Sequence, residues 1–453
     1  MQRTLPSIVA AAEQRADDDE LGAAIRFWHL GLPAGPQHLG AIAGDIPAAD
    51  LVAAGLIAER GEGWASAVSI SPLERLLVAH DSDDGSGMAS DHVLGVGAAT
   101  LTLAALTPRR EVGRVLDIGT GSGAQALLAR GHAESVVATD VSERAAWLAS
   151  VSAALSGVDG VEIRVGDGLA PVEREVFDLI VCNPPFVISP DRDLVFRDGE
   201  ARADGLSRDL VRGCVPHLEP DGTACILVNW IVEAGADEGD VPHAWVAGLD
   251  CDALILHHDS LDPLTYAERW AMVPESATAA EHRDALERWS SHLEDLGASN
   301  VASGAIILRR TGRAGRSRYV EMPKRPVNGG EHVERMLASI DRFSGPDDPA
   351  LDASVFGLVH GHRVEQRLSY GHSSYQAADV VLRLDRSAGV IATVPADLLE
   401  VLFEIDGERT LAGVMAVVAA SRGTSQAGLR AAAAPVLLKL YELGFLTLTE
   451  SAD

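Results

Sequence analysis

The stretch "VLDIGTGSGA", Val115 to Ala124, decides the fold of this 453-residue chain. It begins as the end of a buried strand, and its glycines allow a tight turn that leads into a helix. Gly119, Gly121 and Gly123 bring the backbone close to a ligand, and the unpaired N–H groups at the helix start can donate to it. Gly119, Gly121 and Ala124 also satisfy the dinucleotide fingerprint, so the turn alone leaves the ligand open.

Strands and helices alternate on both sides of this turn and far beyond it. Seven segments have the apolar character of strands, and helical segments separate most of them. Such alternation predicts an α/β fold with a Rossmann-like, mostly parallel seven-stranded sheet that binds ligands at the carboxyl ends of its strands. The predicted strands are "RVLDIG", "SVVATDV", "VEIRVGD", "FDLIVC", "TACILVNW", "CDALILHH" and "SGAIILRRT".

Three acidic residues at successive strand ends distinguish the candidate ligands. Asp117 lies two residues before Gly119, where a carboxylate would repel a pyrophosphate but could attract a cationic amino-acid group. Asp140 ends the second strand, where a carboxylate can accept hydrogen bonds from both hydroxyls of a ribose. Asp167 follows the third strand and could accept one from an exocyclic adenine amine. The ligand groups are met in the order amino acid, ribose, adenine.

The stretch "DLIVCNPPFVIS", Asp178 to Ser189, places an asparagine at a rigid strand end, because proline cannot donate to a strand ladder. An amide or nucleobase NH2 group is a poor nucleophile until it is oriented. The side-chain carbonyl of Asn183 and the backbone carbonyl of Pro184 can each accept one of its N–H bonds. Phe186 can lie flat against a planar acceptor. This stretch therefore predicts an acceptor site for nitrogen chemistry.

These motifs together resemble the class I S-adenosylmethionine-dependent methyltransferases. The tetrad [N/D]-P-P-[Y/F/W] marks the amino-methyltransferases, which include release-factor glutamine, ribosomal RNA guanine ("small methyltransferase" type) and adenine DNA methyltransferases. The resemblance covers about Asp91 to Arg310 and implies S-adenosyl-L-methionine as the cofactor. It implies catalytic roles for Asn183, Pro184, Pro185 and Phe186, and cofactor contacts at Asp117, Gly119, Thr120, Gly121, Gly123, Asp140, Val141, Asp167, Gly168 and Asn183.

The chain is predicted to have three domains. Residues 1–87 have a helix, a glycine-rich turn and an alternating segment, a pattern typical of a winged-helix-like accessory domain, and "DSDDGSG", Asp81 to Gly87, is predicted to be a linker. Residues 88–312 form the methyltransferase domain. Residues 313–453 form an α+β accessory domain with a winged-helix-like end.

The charge of the chain bears on the methyl acceptor. The net charge of −29 repels phosphate backbones, whereas the segment Arg309 to Arg325 is locally basic. The favoured acceptor is a glutamine-type amide of a protein or peptide, or a small-molecule amine. The alternatives are an exocyclic amine of an RNA or DNA base, which the basic segment could bind, and a non-catalytic regulator. The intact Asn183 tetrad argues against the regulator.

The remaining features indicate a cytoplasmic protein without a membrane contact. No run of eighteen apolar residues and no secretory signal pattern is found, and the four cysteines have no metal or disulfide spacing. Cys182 is predicted to be a buried apolar residue that closes a strand. His257 and His258 are predicted to be a strand-end pair, and no metal site is predicted.

Overall fold

The computed structural model describes residues 20–82, 89–191, 204–271, 273, 277–371 and 374–449. These residues form two compact units. The first comprises the described residues up to Leu101 together with Glu111–His217, and the second comprises Thr102–Arg110 with the described residues from Leu218 onward. This division does not coincide with the predicted boundaries after residues 87 and 312, and the three-domain organisation stays a prediction.

The strands follow the apolar segments of the sequence. They are β1 (Ile57–Arg60), β2 (Gly63–Ser66), β3 (Val68–Leu73), β4 (Leu76–Asp81), β5 (Val112–Ile118), β6 (Ala133–Asp140), β7 (Val161–Val165), β8 (Phe177–Cys182), β9 (Leu218–Glu233), β10 (Cys251–Leu261), β11 (Ala298–Arg310), β12 (Ser317–Glu321), β13 (Phe356–Leu358), β14 (His362–Gly371), β15 (Ser374–Leu384), β16 (Ala392–Pro395) and β17 (Leu446–Leu448).

The helices connect these strands and cover their faces. The α-helices are α1 (Glu20–Ala24), α2 (Leu39–Ala43), α3 (Ala48–Ala53), α4 (Ala98–Leu106), α5 (Ala124–Ala129), α6 (Glu143–Ser156), α7 (Gly205–Cys214), α8 (Asp240–Val246), α9 (Pro263–Trp270), α10 (Ala279–Asp295), α11 (Gly330–Ala338), α12 (Pro349–Ala353), α13 (Leu399–Phe403), α14 (Leu411–Arg422) and α15 (Gln426–Glu442). Single turns of other helix types lie at Ile25–His29, Pro36–His38, Ala170–Val172, Val215–His217 and Ala396–Leu398.

The first unit contains four parallel strands in the order β7-β6-β5-β8. The two inner strands are nearly continuous in their apolar residues, with Val115, Leu116 and Ile118 buried in β5 and Val136 to Ala138 buried in β6. Runs of this kind are typical of parallel strands that are covered on both faces. The predicted strand-helix alternation and the parallel pairing of these strands are confirmed here.

The second unit contains the strands β9, β11 and β10, which pair antiparallel in that order, and β12, which pairs parallel with β10. The predicted α/β fold with a Rossmann-like, mostly parallel sheet is confirmed, and β12 is one sheet strand more than the seven predicted. The strand β12, which was not predicted, lies in the basic segment, whose sequence is polar. The backbone of β12 pairs with Ala253 to His257 of β10, and the side chain of Val320 is buried.

The N-terminal part of the first unit consists of short helices followed by the hairpins β1–β2 and β3–β4. The second hairpin packs against α6, with Val68 and Ala79 in contact with a buried cluster that includes Leu148. Asp81 ends β4 and forms an ion pair of 2.5 Å with Arg144, so it belongs to the hairpin and not to the predicted linker. Residues 83–88 lie outside the described part, and the winged-helix interpretation stays a prediction.

The C-terminal part of the second unit combines a three-stranded sheet, β14-β15-β16, with α13 to α15 and the pair β13–β17. His332 of α11 is fully buried and connects three segments of this region. Its Nε2–H donates to the carbonyl of Leu443 at 2.6 Å, and its Nδ1 accepts from the N–H of Ala388 at 3.1 Å. Within the described residues, no helix has both the length and the apolar character to span a bilayer.

Candidate active site

Four strand ends meet at one edge of the parallel sheet in the first unit. Ile118 of β5 lies opposite Thr139 of β6 on one side and opposite Cys182 of β8 on the other. Asp140 of β6 lies opposite Val165 of β7. Because neighbouring strands lie about 4.8 Å apart, the glycine turn after Ile118 is flanked by Asp140 and by the residue that follows Cys182. The register thus brings the predicted motifs together.

The glycine turn leaves open space beside its backbone. Gly119 and Gly121 have φ angles of 67° and 54°, which side chains rarely adopt. A Cβ atom at Gly119 would meet nothing within 4 Å, and one at Gly121 would meet only Val93, at 3.9 Å. Gly123 differs, because its Cβ would lie 3.1 Å from Ala149 of α6. The first two glycines therefore leave an open cradle with room for a ligand, whereas the third allows two helices to pack closely.

Asp117 is buried beneath this turn and holds it in place. Its Oδ2 accepts a hydrogen bond from the Thr120 hydroxyl at 2.7 Å and another from the N–H of Ala126 at 3.0 Å. Burial raises the pKa of the Asp117 carboxyl to about 7, against the lowering effect of these two donors. A carboxyl in such surroundings gains from a cationic group nearby, because the cation stabilises its ionised form.

Asp140 connects the second strand end to the glycine turn. Its Oδ2 accepts from the N–H of Gly121 at 2.8 Å, and its Oδ1 accepts from the N–H of Ser142 at 2.9 Å. Burial raises the pKa of the Asp140 carboxyl above its usual value, although these donors oppose the change. Each carboxylate oxygen can accept further hydrogen bonds, so two ribose hydroxyls can still be bound there. Val141, the next residue, is 55% exposed.

The third strand end is the most open of the four. Asp167 is exposed, and Val165 before it is 52% exposed. Gly168 is fixed by its carbonyl, which accepts from the Thr139 hydroxyl at 3.1 Å. Thr139 is not among the predicted site residues, although a polar residue at the end of a buried strand could have indicated it. Exposed apolar side chains beside an acceptor are suited to a planar base such as adenine.

The tetrad begins directly after β8. Asn183 is partly exposed at the edge of the sheet, next to the glycine turn, and Pro184 is buried. The N–H of Phe186 donates to the Pro184 carbonyl at 2.8 Å, which closes a tight turn. That carbonyl retains one lone pair for a further donor. Pro185 and Phe186 are partly exposed at the same turn, so the four residues form a rigid corner beside the ligand cradle.

Cys182 precedes the tetrad and has no part in its chemistry. The residue is completely buried, and burial raises the pKa of its thiol well above the usual value. A thiol of this kind stays protonated near neutral pH and is a poor nucleophile. The predicted role as a small apolar residue that closes the strand is confirmed.

The basic segment lies in the second unit, and four of its arginines form ion pairs with acidic residues. Burial lowers the pKa of the Arg318 guanidinium, and the Ser339 hydroxyl accepts from it at 2.5 Å. Much of the positive charge of the segment is therefore neutralised within the second unit. The ion pairs are Arg309 with Asp252 (3.0 Å), Arg313 with Asp252 (3.2 Å) and Asp341 (3.6 Å), Arg316 with Asp341 (2.6 Å) and Arg318 with Glu442 (3.3 Å).

Residues 84–234 match the family model of the methyltransferase small domain. This segment includes the glycine turn, the three acidic strand ends and the tetrad. The predicted resemblance to the methyltransferases of the small-methyltransferase type is confirmed for this segment, which is a third of the chain. The family also supports the predicted cofactor, S-adenosyl-L-methionine.

Two groups of curated relatives match the same part. A release factor glutamine methyltransferase from Xylella fastidiosa is 39% identical over 140 residues, which are 28% of this chain and 48% of the relative. A ribosomal RNA small subunit methyltransferase C from Escherichia coli is 32% identical over 145 residues, 32% of this chain and 38% of the relative. The chain thus spans about half or less of the length of these relatives.

Among solved structures, the YcgJ protein of Bacillus subtilis is similar with a TM-score of 0.32 and 16% identity. The match covers 47% of this chain and 98% of that protein.

Proposed function

We propose that the first unit binds S-adenosyl-L-methionine and that the protein transfers its methyl group to a planar amide or amine nitrogen. One observation carries the proposal. The register places the Asn183 corner and the open glycine turn on adjacent strand ends, so an acceptor held by the first lies beside a ligand held by the second. Proximity and orientation of this kind account for much of the rate enhancement of group-transfer enzymes.

The residues present fit the cofactor. Gly119 and Gly121 leave room for its amino-acid part, and Asp117 beneath them favours a cationic ammonium group. Asp140 can accept from both ribose hydroxyls, and the exposed side chain of Val141 offers an apolar contact for the adenine. The cofactor supplies an electrophilic methyl group on a sulfonium ion.

The acceptor nitrogen is oriented by the rigid corner. The side-chain carbonyl of Asn183 and the free lone pair of the Pro184 carbonyl each accept one N–H bond, which directs the nitrogen at the methyl carbon. The bound cofactor would supply the methyl carbon to the oriented nitrogen, which would release its extra proton to solvent. Phe186 provides an aromatic face for the planar acceptor.

The acceptor we favour is a glutamine-type amide of a protein or peptide, or a small-molecule amine. Two observations support this choice. The net charge of −29 disfavours a polyanion, and the ion pairs of Arg309, Arg313, Arg316 and Arg318 neutralise much of the basic segment. The more similar group of relatives carries the name release factor glutamine methyltransferase.

A second candidate acceptor is the exocyclic amine of a nucleic-acid base. The relatives named as ribosomal RNA methyltransferases support it, and Lys324 and Arg325 of the basic segment are exposed. A third possibility, a non-catalytic regulator that binds the cofactor, is disfavoured because the Asn183 corner would have no purpose in it.

The test uses the purified full chain, cofactor labelled in its methyl group and separate protein, nucleic-acid and small-molecule fractions of a bacterial lysate. We expect label in the protein or small-molecule fraction. Asn183→Ala should lower turnover by roughly 10²-fold with little change in cofactor affinity, because one positioning hydrogen bond is lost. Asn183→Asp keeps an acceptor oxygen and should lose less activity.

Asn300→Ala is the matched control, because this asparagine lies in β11 of the second unit and is not one of the residues of the proposed site. Label in nucleic acid alone would make base methylation the function. Equal activity of the wild type and both Asn183 variants would mean that the corner only ends β8 and has no role in catalysis. The absence of transfer to any fraction, with tight cofactor binding, would support the regulator.

A further inference from the structure

Three side chains of the second unit form a cluster that the proposed methyl transfer does not use. Glu238 precedes α8, His257 lies in β10 and Glu321 ends β12. Each offers one nitrogen or oxygen atom, and these atoms all lie within 4.8 Å of one another. We call them the histidine–glutamate cluster. No spacing in the sequence indicates this cluster, because the three residues are far apart in the chain.

The imidazole ring of His257 is held in one orientation. The residue is only 6% exposed. Its ring stacks on Tyr319 at a centroid distance of 5.7 Å and an interplanar angle of 24°, and it meets Trp230 edge-on at 5.8 Å. A ring enclosed in this way cannot rotate freely, so the directions of its two nitrogens are fixed by the fold.

One ring nitrogen is used by a carboxylate on the neighbouring strand. His257 and Glu321 lie opposite each other in the parallel pair β10–β12, and Nδ1 is 2.8 Å from Glu321 Oε2. An ionised carboxylate can only accept, so Nδ1 carries the proton and donates. In the neutral imidazole this leaves Nε2 with a lone pair. A carboxylate that fixes the tautomer from the far nitrogen is the usual support of a metal-binding histidine.

The other ring nitrogen has no hydrogen-bond partner among the described residues, although it is buried. It faces Glu238 Oε2 at 3.5 Å, which is longer than an N–H···O hydrogen bond. A lone pair and a carboxylate at this separation repel each other unless a proton or a metal ion lies between them. Metal–ligand bonds of about 2.0–2.1 Å in a tetrahedral zinc site place two ligand atoms about 3.3 Å apart, close to the separation found here.

We propose that the histidine–glutamate cluster binds a divalent transition-metal ion of the Zn²⁺ type, with His257 Nε2 and Glu238 Oε2 as ligands and water in the remaining positions. Glu321 supports the ring from its other side. An imidazole ligand favours Zn²⁺ over Mg²⁺ or Ca²⁺, which prefer oxygen ligands alone. The Glu321 side chain is 62% exposed, so the cluster is open to solvent on that side.

The site would connect the turn before α8 with the strand β10. Glu238 belongs to that turn, and its backbone carbonyl accepts from the Trp230 indole N–H at 2.8 Å. A bound ion adds a link between the same turn and the buried ring of His257. This role is independent of methyl transfer, so the proposal does not depend on the proposed function.

The test measures metal binding by the full chain after removal of metal with a chelator. Isothermal titration with ZnCl2 should show one saturable site, and MgCl2 at the same concentration should show none. Loading with Co²⁺ should give visible absorption bands of a tetrahedral site. Glu238→Gln and His257→Gln should each weaken Zn²⁺ binding by at least about tenfold, since each removes a ligand.

His258→Gln is the matched control. His258 is the next residue of β10, its Nδ1 bonds to the Met322 carbonyl, and it does not belong to the cluster. Wild-type Zn²⁺ affinity in His258→Gln, together with weaker Zn²⁺ binding in Glu238→Gln, supports the site. If His257→Gln fails to fold, the result with Glu238→Gln is sufficient to test the proposal. The proposal is overturned if the wild type binds no Zn²⁺ in a saturable manner, or if Glu238→Gln binds it as tightly as the wild type.

Discussion

The buried carboxyl of Asp117 makes the free energy of unfolding depend on pH in a direction that can be calculated. Its pKa is raised by burial from 3.8 to about 7, so the folded protein binds a proton here that the unfolded chain has released. Stability therefore falls as pH rises between these two values. The two pH units from 5 to 7, at about 1.4 kcal/mol each, give a loss of roughly 3 kcal/mol from this group.

Asp117→Asn removes this titration and keeps a carbonyl oxygen for the Thr120 and Ala126 donors. Urea unfolding of both proteins at pH 5 and pH 8 measures the effect. The stability of the variant relative to wild type should rise by roughly 3 kcal/mol over that range. Asp159→Asn, which changes an exposed carboxyl of the same unit, is the control and should show no such rise.

The proposed position of Asp117 below the cofactor's ammonium group can be tested by a second measurement, the release of a proton on cofactor binding. A cation there favours the ionised carboxyl, so cofactor binding near pH 6.5 should release a proton. Calorimetry in buffers of different ionisation enthalpy detects it, and the Asn variant should bind more weakly without the release. A stability difference that is constant between pH 5 and 8 would refute the account of the buried carboxyl, whereas the absence of proton release alone would refute only its role at the cofactor.

Two further variants test the strand end and the C-terminal region. Asp140→Ala should weaken cofactor binding by more than tenfold in calorimetry, because two charge-assisted hydrogen bonds of about 1.5–3 kcal/mol each are lost; unchanged affinity would exclude the ribose role. Burial lowers the pKa of His332 to about 4, so the stability it confers is present above pH 6.5 and is lost as pH falls toward 4. Between pH 7 and 4.5 the wild type should lose roughly 2 kcal/mol more than His332→Gln in urea unfolding, and equal losses would contradict the assignment.

The part of the fold that follows local rules could be predicted from the sequence. The apolar runs of β5, β6 and β8 and the helices near them could be predicted because a parallel strand covered on both faces needs consecutive apolar residues. The turn at Gly119 and Gly121 was recognised because their positive φ angles favour glycine. The corner at Asn183 was recognised because proline ends a strand. These residues depend on their own chain neighbours, so the candidate site was accessible from the sequence.

Which charged groups form ion pairs is decided only by the tertiary structure. Arg309 and Asp252 are separated by 57 residues, and Arg318 and Glu442 by 124, so carboxylates from distant parts of the chain neutralise much of a segment whose own sequence is basic. The strand β12 reads as polar but completes the second unit's sheet, since backbone pairing with β10 does not require an apolar sequence.

Burial and strand register explain the remaining differences between what the sequence predicts and what the structure shows. The Asp117 carboxyl was predicted to face a ligand, and only the fold shows that it is also enclosed beneath the turn, which raises its pKa. His257 was interpreted as one of a strand-end pair, but the pairing of β10 with β12 places Glu321 at one ring nitrogen and the turn after β9 places Glu238 near the other. The sequence determines which groups are available, whereas their desolvation and their distances arise only when distant segments pack together, because both depend on through-space neighbours.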